Sequence, residues 1–192
     1  REKLENDSYD WHTRHARVME WKARTQPEIV LIGDSITHFW GGEPSDAPAR
    51  GPIAWRGLFG NTPVLNLGFG WDRTQNVLWR IEHGELDGIK PRAVVIHIGT
   101  NNTSATPNAR ANTAAEIVEG IAAACTRIRE KLPDARIILM AIFPREEKPD
   151  APRRKLINET NRLLTAYAAD KQITLLDIGP ALLAPDGTLP RA

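Results

Sequence analysis

Five short apolar runs punctuate the chain: Ile29 to Ile32, Val64 to Leu67, Ala93 to Ile98, Ile137 to Phe143 and Ile173 to Leu176. Each is rich in β-branched residues or Leu, and none alternates apolar with polar positions. Strands covered on both faces read this way. Helical spacing fills the intervals: Asp10 to Arg24 before the first run, Thr74 to Ile81 after the second, Asn112 to Leu132 after the third and Pro152 to Ala169 after the fourth. Pro152 suits the first turn of a helix, where a missing N–H does no harm. Pro133-Asp134 ends the helix before it. Strands alternating with helices predict an α/β fold, a parallel sheet with helices on both faces. With right-handed crossovers, the expected strand order is 2-1-3-4-5. No repeat, low-complexity stretch or linker breaks the pattern, so residues 1–192 read as a single domain.

Two stretches escape this periodicity. Gly41 to Arg56 carries three glycines and three prolines and reads as a long surface loop. Pro144 to Ala151 is highly charged. Both are candidates for the rim of a site.

Composition narrows the function classes. Of the 192 residues, 41% are hydrophobic, enough for a sizeable core, and the net charge is +1. That balance leaves no broad basic face for nucleic acid. No apolar run approaches the roughly 20 residues that cross a bilayer. The single cysteine, Cys125, lies in a predicted helix and reads as a small buried apolar residue. His and Cys spacings give no metal site. The chain begins at Arg1 rather than Met. It reads as a processed or trimmed product, and a secreted or periplasmic location after removal of a leader is compatible with that.

In an open parallel sheet, ligands bind beyond the carboxyl ends of the strands. The first predicted strand runs into Gly33-Asp34-Ser35, which places Ser35 at or near a helix start with its hydroxyl exposed. Free backbone N–H groups there favour a developing oxyanion. The second runs into Gly68-Phe69-Gly70-Trp71-Asp72, a backbone-exposing turn; read alone, it is a strand-to-helix turn with Asp72 as N-cap. The third runs into Gly99-Thr100-Asn101-Asn102, where an Asn can offer its amide to the crevice. Each motif alone reads as turn chemistry. Together they set a nucleophile beside two kinds of N–H donor, which is what acyl transfer needs.

At these residues the chain resembles the SGNH/GDSL hydrolase family. Within it, the likeness is to platelet-activating factor acetylhydrolase 1B catalytic-subunit-like esterases. It runs from about Asp10 to Leu189 and includes Asp10-Trp11-His12, Gly33-Asp34-Ser35, Val77-Leu78-Trp79-Arg80, Gly84-Glu85-Leu86, Gly99-Thr100-Asn101-Asn102 and Glu147-Lys148-Pro149. The resemblance implies a three-layer α/β/α sandwich with five parallel strands. It implies Ser35 as catalytic nucleophile, and an oxyanion hole formed by the Ser35 N–H, a backbone N–H of the glycine block and the Asn101 amide. The family glycine directly precedes the Asp, so the matching position is Trp71, with Gly70 as its neighbour. A side chain there restricts φ.

The resemblance also implies a C-terminal His base with an orienting Asp three residues earlier. Residues 184–192 contain no such block, so the catalytic Asp and His are not present in this sequence. The expectation is a single domain without that block and its closing helix. Of the five histidines, His38 lies one helical turn from Ser35, and His97 sits in the third strand, where a satisfied core residue is the commoner reading. His12, His15 and His83 belong to helices. Asp34 and Asp72 are expected to serve the turns.

The reading is a serine esterase removing small acyl groups, acetyl first, from a small-molecule or carbohydrate ester, with no metal or organic cofactor expected. The alcohol half stays open, and the likeness is compatible with a homodimer. One rival is a non-catalytic binding protein on the same scaffold, favoured by the missing His. A second is a flavodoxin-like nucleotide or flavin binder, opposed by the absence of a phosphate cradle after the first strand.

Overall fold

A computed structural model describes residues 2–45 and 48–190. Arg1, Asp46, Ala47, Arg191 and Ala192 lie outside the described residues, and so do the expectations attached to the two chain ends. The sheet has five parallel strands in the order β2-β1-β3-β4-β5. They are β1 (Ile29–Gly33), β2 (Val64–Gly68), β3 (Ala93–His97), β4 (Arg136–Met140) and β5 (Thr174–Leu176). This is the predicted order, built from the predicted runs.

The helices are α1 (Trp11–Arg24), α2 (Ser35–His38), α3 (Pro52–Phe59), α4 (Thr74–Glu82), α5 (Ala114–Lys131) and α6 (Pro152–Asp170). Local chemistry explains their starts. The Asp10 side chain accepts the Thr13 N–H at 2.7 Å to cap α1. Thr113 and Glu116 form a reciprocal capping box on α5. Along the sheet, α4 packs on α5 and α5 on α6. Right-handed crossovers from β2 to β3, β3 to β4 and β4 to β5 require that row. Its buried seam includes Val77, Ile81, Ile117, Ile121, Ile128, Ile157 and Leu164, packed with the central strands into one core. Cys125 is buried in that core, as its context predicted.

Three departures from the predicted elements have physical reasons. The stretch read as a loop over Gly41 to Arg56 ends in α3. That helix has one charged residue, Arg56, and apolar residues on its remaining surface: Trp55 and Phe59 pack on Trp40, with ring centroids 5.3 and 5.6 Å away, while Ile53 and Leu58 stay 79% and 66% exposed. Without a polar face it gives no amphipathic period to read. The fourth apolar run reaches Phe143, but β4 stops at Met140. Beyond the ladder, the Asn161 side chain of α6 takes over: its Oδ1 accepts the Ile142 N–H (2.9 Å) and its Nδ2 donates to the Ile142 carbonyl (2.8 Å). Asp72 is not an N-cap; Arg73 occupies that position of α4, its N–H accepted by Asn76 Oδ1 at 2.9 Å.

Register aligns the strand ends. Gly33 of β1 pairs with Gly68 of β2 on one side and with His97 of β3 on the other. Both glycines sit where a side chain has no room. A Cβ on Gly68 would fall 2.2 Å from the His38 nitrogen, and one on Gly33 would fall 2.1 Å from Thr37 Oγ1. α2 therefore lies directly on the ends of β1 and β2.

Two glycine substitutions test this packing. Gly68→Ala should lower unfolding stability in urea by about 1–3 kcal/mol, because backbone must move to admit the methyl group. Gly57→Ala, inside α3 with nothing within 4 Å of its virtual Cβ, should raise it by about 0.5–1 kcal/mol.

Candidate active site

A cleft of about 800 Å³ opens at the carboxyl edge of the sheet, lined by Ser35, Trp71, His97, Asn101, Phe143 and Arg145 among others. The volume suits a small-molecule ligand. Ser35, Trp71 and Asn101, taken from three separate strand ends, all face this one space. Gly70 does not line it.

Ser35 is the first residue of α2. Its N–H and its hydroxyl have no hydrogen-bond partner among the described residues, so both are available to a ligand. Asp34 caps the helix, its Oδ1 accepting the Ile36 N–H at 3.0 Å. Its other oxygen, Oδ2, is buried and meets no partner among the described residues. Burial without a full set of donors pushes the Asp34 carboxyl up to about 7.

Trp71 has φ +63, in the left-handed region. For a residue with a Cβ that conformation costs about 1–2 kcal/mol. The left-handed position in this turn is therefore Trp71 itself. Gly70 has a different reason to be glycine: a Cβ there would come within 2.4 Å of Asp7 Oδ2. The Trp71 indole is 42% exposed at the cleft wall. Its N–H, like that of Ser35, has no acceptor among the described residues.

Asn101 opens a 3-10 turn after β3 (Asn101–Thr103). One hydrogen of its amide goes to the Asp72 carbonyl at 2.9 Å, which leaves the other for the cleft. Its neighbour Asn102 is turned inward, with Oδ1 accepting the Thr74 N–H at 3.1 Å.

The histidines sort clearly. His97 lines the cleft with its ring 4.0 Å from Phe143 by centroids, and burial pulls it down to about 4, so it is neutral at physiological pH. His38 does lie one turn from Ser35 but outside the cleft lining, its Nδ1 accepting the Gly70 N–H at 3.3 Å. His15 Nδ1 meets Glu85 at 2.9 Å, His83 Nδ1 the Trp79 carbonyl at 2.7 Å, and His12 Nε2 lies 3.6 Å from Glu2. No cluster of metal-ligating side chains occurs among the described residues.

Sequence reasoning assigned no role to Tyr9, Trp11, Arg14 and Arg80, which hold the glycine block from behind. Arg14 donates to the carbonyls of Gly68 (2.7 Å), Asn66 (3.0 Å) and Pro44 (3.2 Å). Arg80 is fully buried and donates to Asp72 at 2.8 Å. Burial raises the Asp72 carboxyl to about 6, against the pull of the Arg80 guanidinium and the Trp11 indole. A signal was present: Arg14 shares a stripe with Trp11 and Val18, and Arg80 one with Val77 and Ile81. An arginine on an apolar stripe demands an acceptor in the core.

Residues 31–192 match the model of the GDSL-like Lipase/Acylhydrolase family. The chain is 34% identical over 180 residues to platelet-activating factor acetylhydrolase IB subunit alpha1 of Homo sapiens, covering 93% of this chain and 71% of that protein. It is 35% identical over 181 residues to the IB subunit beta homolog of Drosophila melanogaster, with coverage of 93% and 72%. Among solved structures it is similar to a GDSL-like lipase from Bacteroides thetaiotaomicron, with a TM-score of 0.66 at 21% identity over 95% of this chain and 90% of that one. No helix among the described residues is long and apolar enough to cross a membrane.

The buried Asp34 carboxyl makes stability depend on pH in a definite sense. Its pKa is raised on folding, so its contribution is full below the unfolded value near 4 and is lost as pH rises to about 7. The stability of the wild type relative to Asp34→Asn should fall across that window and level off above it. Urea midpoints of both proteins from pH 4 to pH 8 give the measurement; a constant difference would contradict the assignment.

Proposed function

The chain belongs to the GDSL-like lipase/acylhydrolase family, and from that premise we propose that it hydrolyses short acyl esters, acetyl esters first, through an acyl-enzyme on Ser35. The observation that carries the reading is the meeting of four unsatisfied groups, from three residues, in one cleft. The Ser35 hydroxyl, the free N–H groups of Ser35 and Trp71, and the spare hydrogen of the Asn101 amide belong to residues that line the same space.

In this mechanism Ser35 Oγ attacks the ester carbonyl while a general base takes its proton, and the same base returns that proton to the departing alcohol. The carbonyl oxygen gains the negative charge and takes hydrogen bonds from the Ser35 and Trp71 N–H groups and from Asn101. Collapse expels the alcohol and leaves the acyl group on Ser35; water then attacks the acyl-enzyme by the same route in reverse order. Donors fixed before reaction need no reorganisation as charge develops, which is why such groups dominate acyl transfer. The proposed preference for acetyl draws on the name of the acetylhydrolase relatives.

The general base is not assigned to any of the five histidines. Four are engaged outside the cleft lining, and burial leaves His97 a weak base. In the family likeness that role falls to a His with an Asp three residues before it, a block with no match within residues 1–192.

Kinetics on a small chromogenic acetyl ester test this reading, using protein expressed from the complete reading frame. Ser35→Ala should reduce turnover to background. Asn101→Ala should lower kcat on the order of 10²–10³ with its fold intact. Wild-type turnover in Asn101→Ala would remove that residue from the mechanism, and undiminished turnover in Ser35→Ala would remove the nucleophile.

A further inference from the structure

The turn that carries Trp71 is fastened on both sides of that residue. The Gly70 N–H donates to His38 Nδ1 (3.3 Å), and the Gly70 carbonyl accepts from the Tyr9 hydroxyl (2.9 Å). The Asp72 N–H donates to the Phe69 carbonyl (3.2 Å), and the Asp72 carbonyl accepts from the Asn101 amide (2.9 Å). The Asp72 side chain is buried completely. Its Oδ1 accepts from Trp11 Nε1 and its Oδ2 from Arg80 Nε, both at 2.8 Å. Arg80 is held in turn by Glu85, donates to the Leu67 carbonyl at 3.3 Å, and lies over the Phe69 ring, 4.0 Å from its centroid. Between these fastenings sits Trp71, with a left-handed backbone that its side chain disfavours and an N–H without an acceptor among the described residues.

A tryptophan freed from such a clamp would relax toward negative φ, and the turn that sets its N–H would change shape. The same release would free the Asp72 carbonyl, which fixes the direction of the Asn101 amide. We propose that Asp72, gripped by Trp11 and Arg80, is a positioning residue: it holds Trp71 in its left-handed conformation and so aims both the Trp71 N–H and the Asn101 amide into the cleft. The inference rests on the ester-hydrolase reading above and adds three residues, Trp11, Asp72 and Arg80, to what that reaction requires. None of the three is among the residues lining the cleft; they act through the backbone of the turn.

A purely structural role for Asp72 makes a different forecast. It would lower stability without changing the kcat of the folded fraction, and its effect would not depend on the residue at position 71. Positioning predicts dependence on that residue, because glycine adopts φ near +60° without strain. A double-mutant cycle separates the two.

The cycle uses protein expressed from the complete reading frame and a chromogenic acetyl ester. Asp72→Asn keeps the side-chain volume but loses the ion pair with Arg80. It should lower kcat by about 10²-fold, the scale of one lost oxyanion donor, with KM changed by less than about threefold. Introduced together with Trp71→Gly, it should lower kcat by less than about tenfold relative to Trp71→Gly alone. Trp11→Phe keeps an aromatic ring and removes only the N–H; it should show the same dependence with a smaller loss, and it carries the comparison if Asp72→Asn does not fold. A readout independent of turnover is amide hydrogen exchange over residues 70–73: faster in Asp72→Asn, and returned toward the wild-type rate when Trp71→Gly is added. Equal kcat losses with and without Trp71→Gly, or unchanged kcat in both Asp72→Asn and Trp11→Phe, would overturn the proposal. An inactive wild type would defeat the hydrolase reading instead, and the exchange arm would still judge the clamp, since unchanged exchange at residues 70–73 overturns it.

Discussion

Everything at the cleft depends on the register of β1, which lies between β2 and β3 with Gly33 level with Gly68 and His97. From that line, Ser35 is two residues on, Trp71 three and Asn101 four. A parallel sheet sends all its strands out of the same edge, so three loops distant in sequence begin side by side. The glycines make the line usable. With a Cβ at Gly33 or Gly68, α2 could not lie against the strand ends, and Ser35 would stand elsewhere. Close approach of backbone to backbone is thus the first requirement of the site, ahead of any catalytic side chain.

The second requirement is a buried charge system behind the turn. Asp72, Arg80 and Glu85 are each removed from water, and each finds a partner among the three. Such pairs add little net stability compared with apolar packing, but removing one partner strands the other and is strongly destabilising. They are directional, which apolar contacts are not. Here the direction serves one residue in a disfavoured conformation. Strain of that kind persists only where its surroundings over-determine it, and it gathers at functional sites.

Most of the fold was legible in the sequence because buried strands leave short apolar runs; β5, at the sheet edge with Thr174 and Leu176 exposed, is not covered on both faces as expected, and its run was legible all the same. The places of Ser35 and Asn101 at the cleft were legible because both follow strands closely. What escaped reading depended on distant partners. The helix α3 is apolar apart from Arg56 and packs through Trp55 and Phe59 on Trp40 and through Trp55 on Gly41 and Gly42, so no period betrayed it. The fate of Asp72 was hidden because its partner Trp11 lies 61 positions away; next to a helix start, an aspartate reads as a cap. The path beyond β4 is set by the Asn161 amide, 19 residues on from the Ile142 it holds. Only the arginines on apolar stripes gave a local hint, and it told of a buried acceptor without naming it. At the glycine block, the Trp71 N–H has no acceptor among the described residues. That a tryptophan would accept the left-handed position followed only from the clamp around it.

The central claim is that Ser35 is the reacting atom's owner, and covalent capture addresses it without reference to any natural substrate. Protein from the complete reading frame would be treated with a fluorophosphonate, an irreversible mimic of the tetrahedral intermediate, and digested for peptide mass mapping. The account predicts one adduct per chain, on Ser35, formed at a rate that falls sharply in Asn101→Ala. An adduct on a different residue, or ester turnover that survives full modification of Ser35, would contradict it.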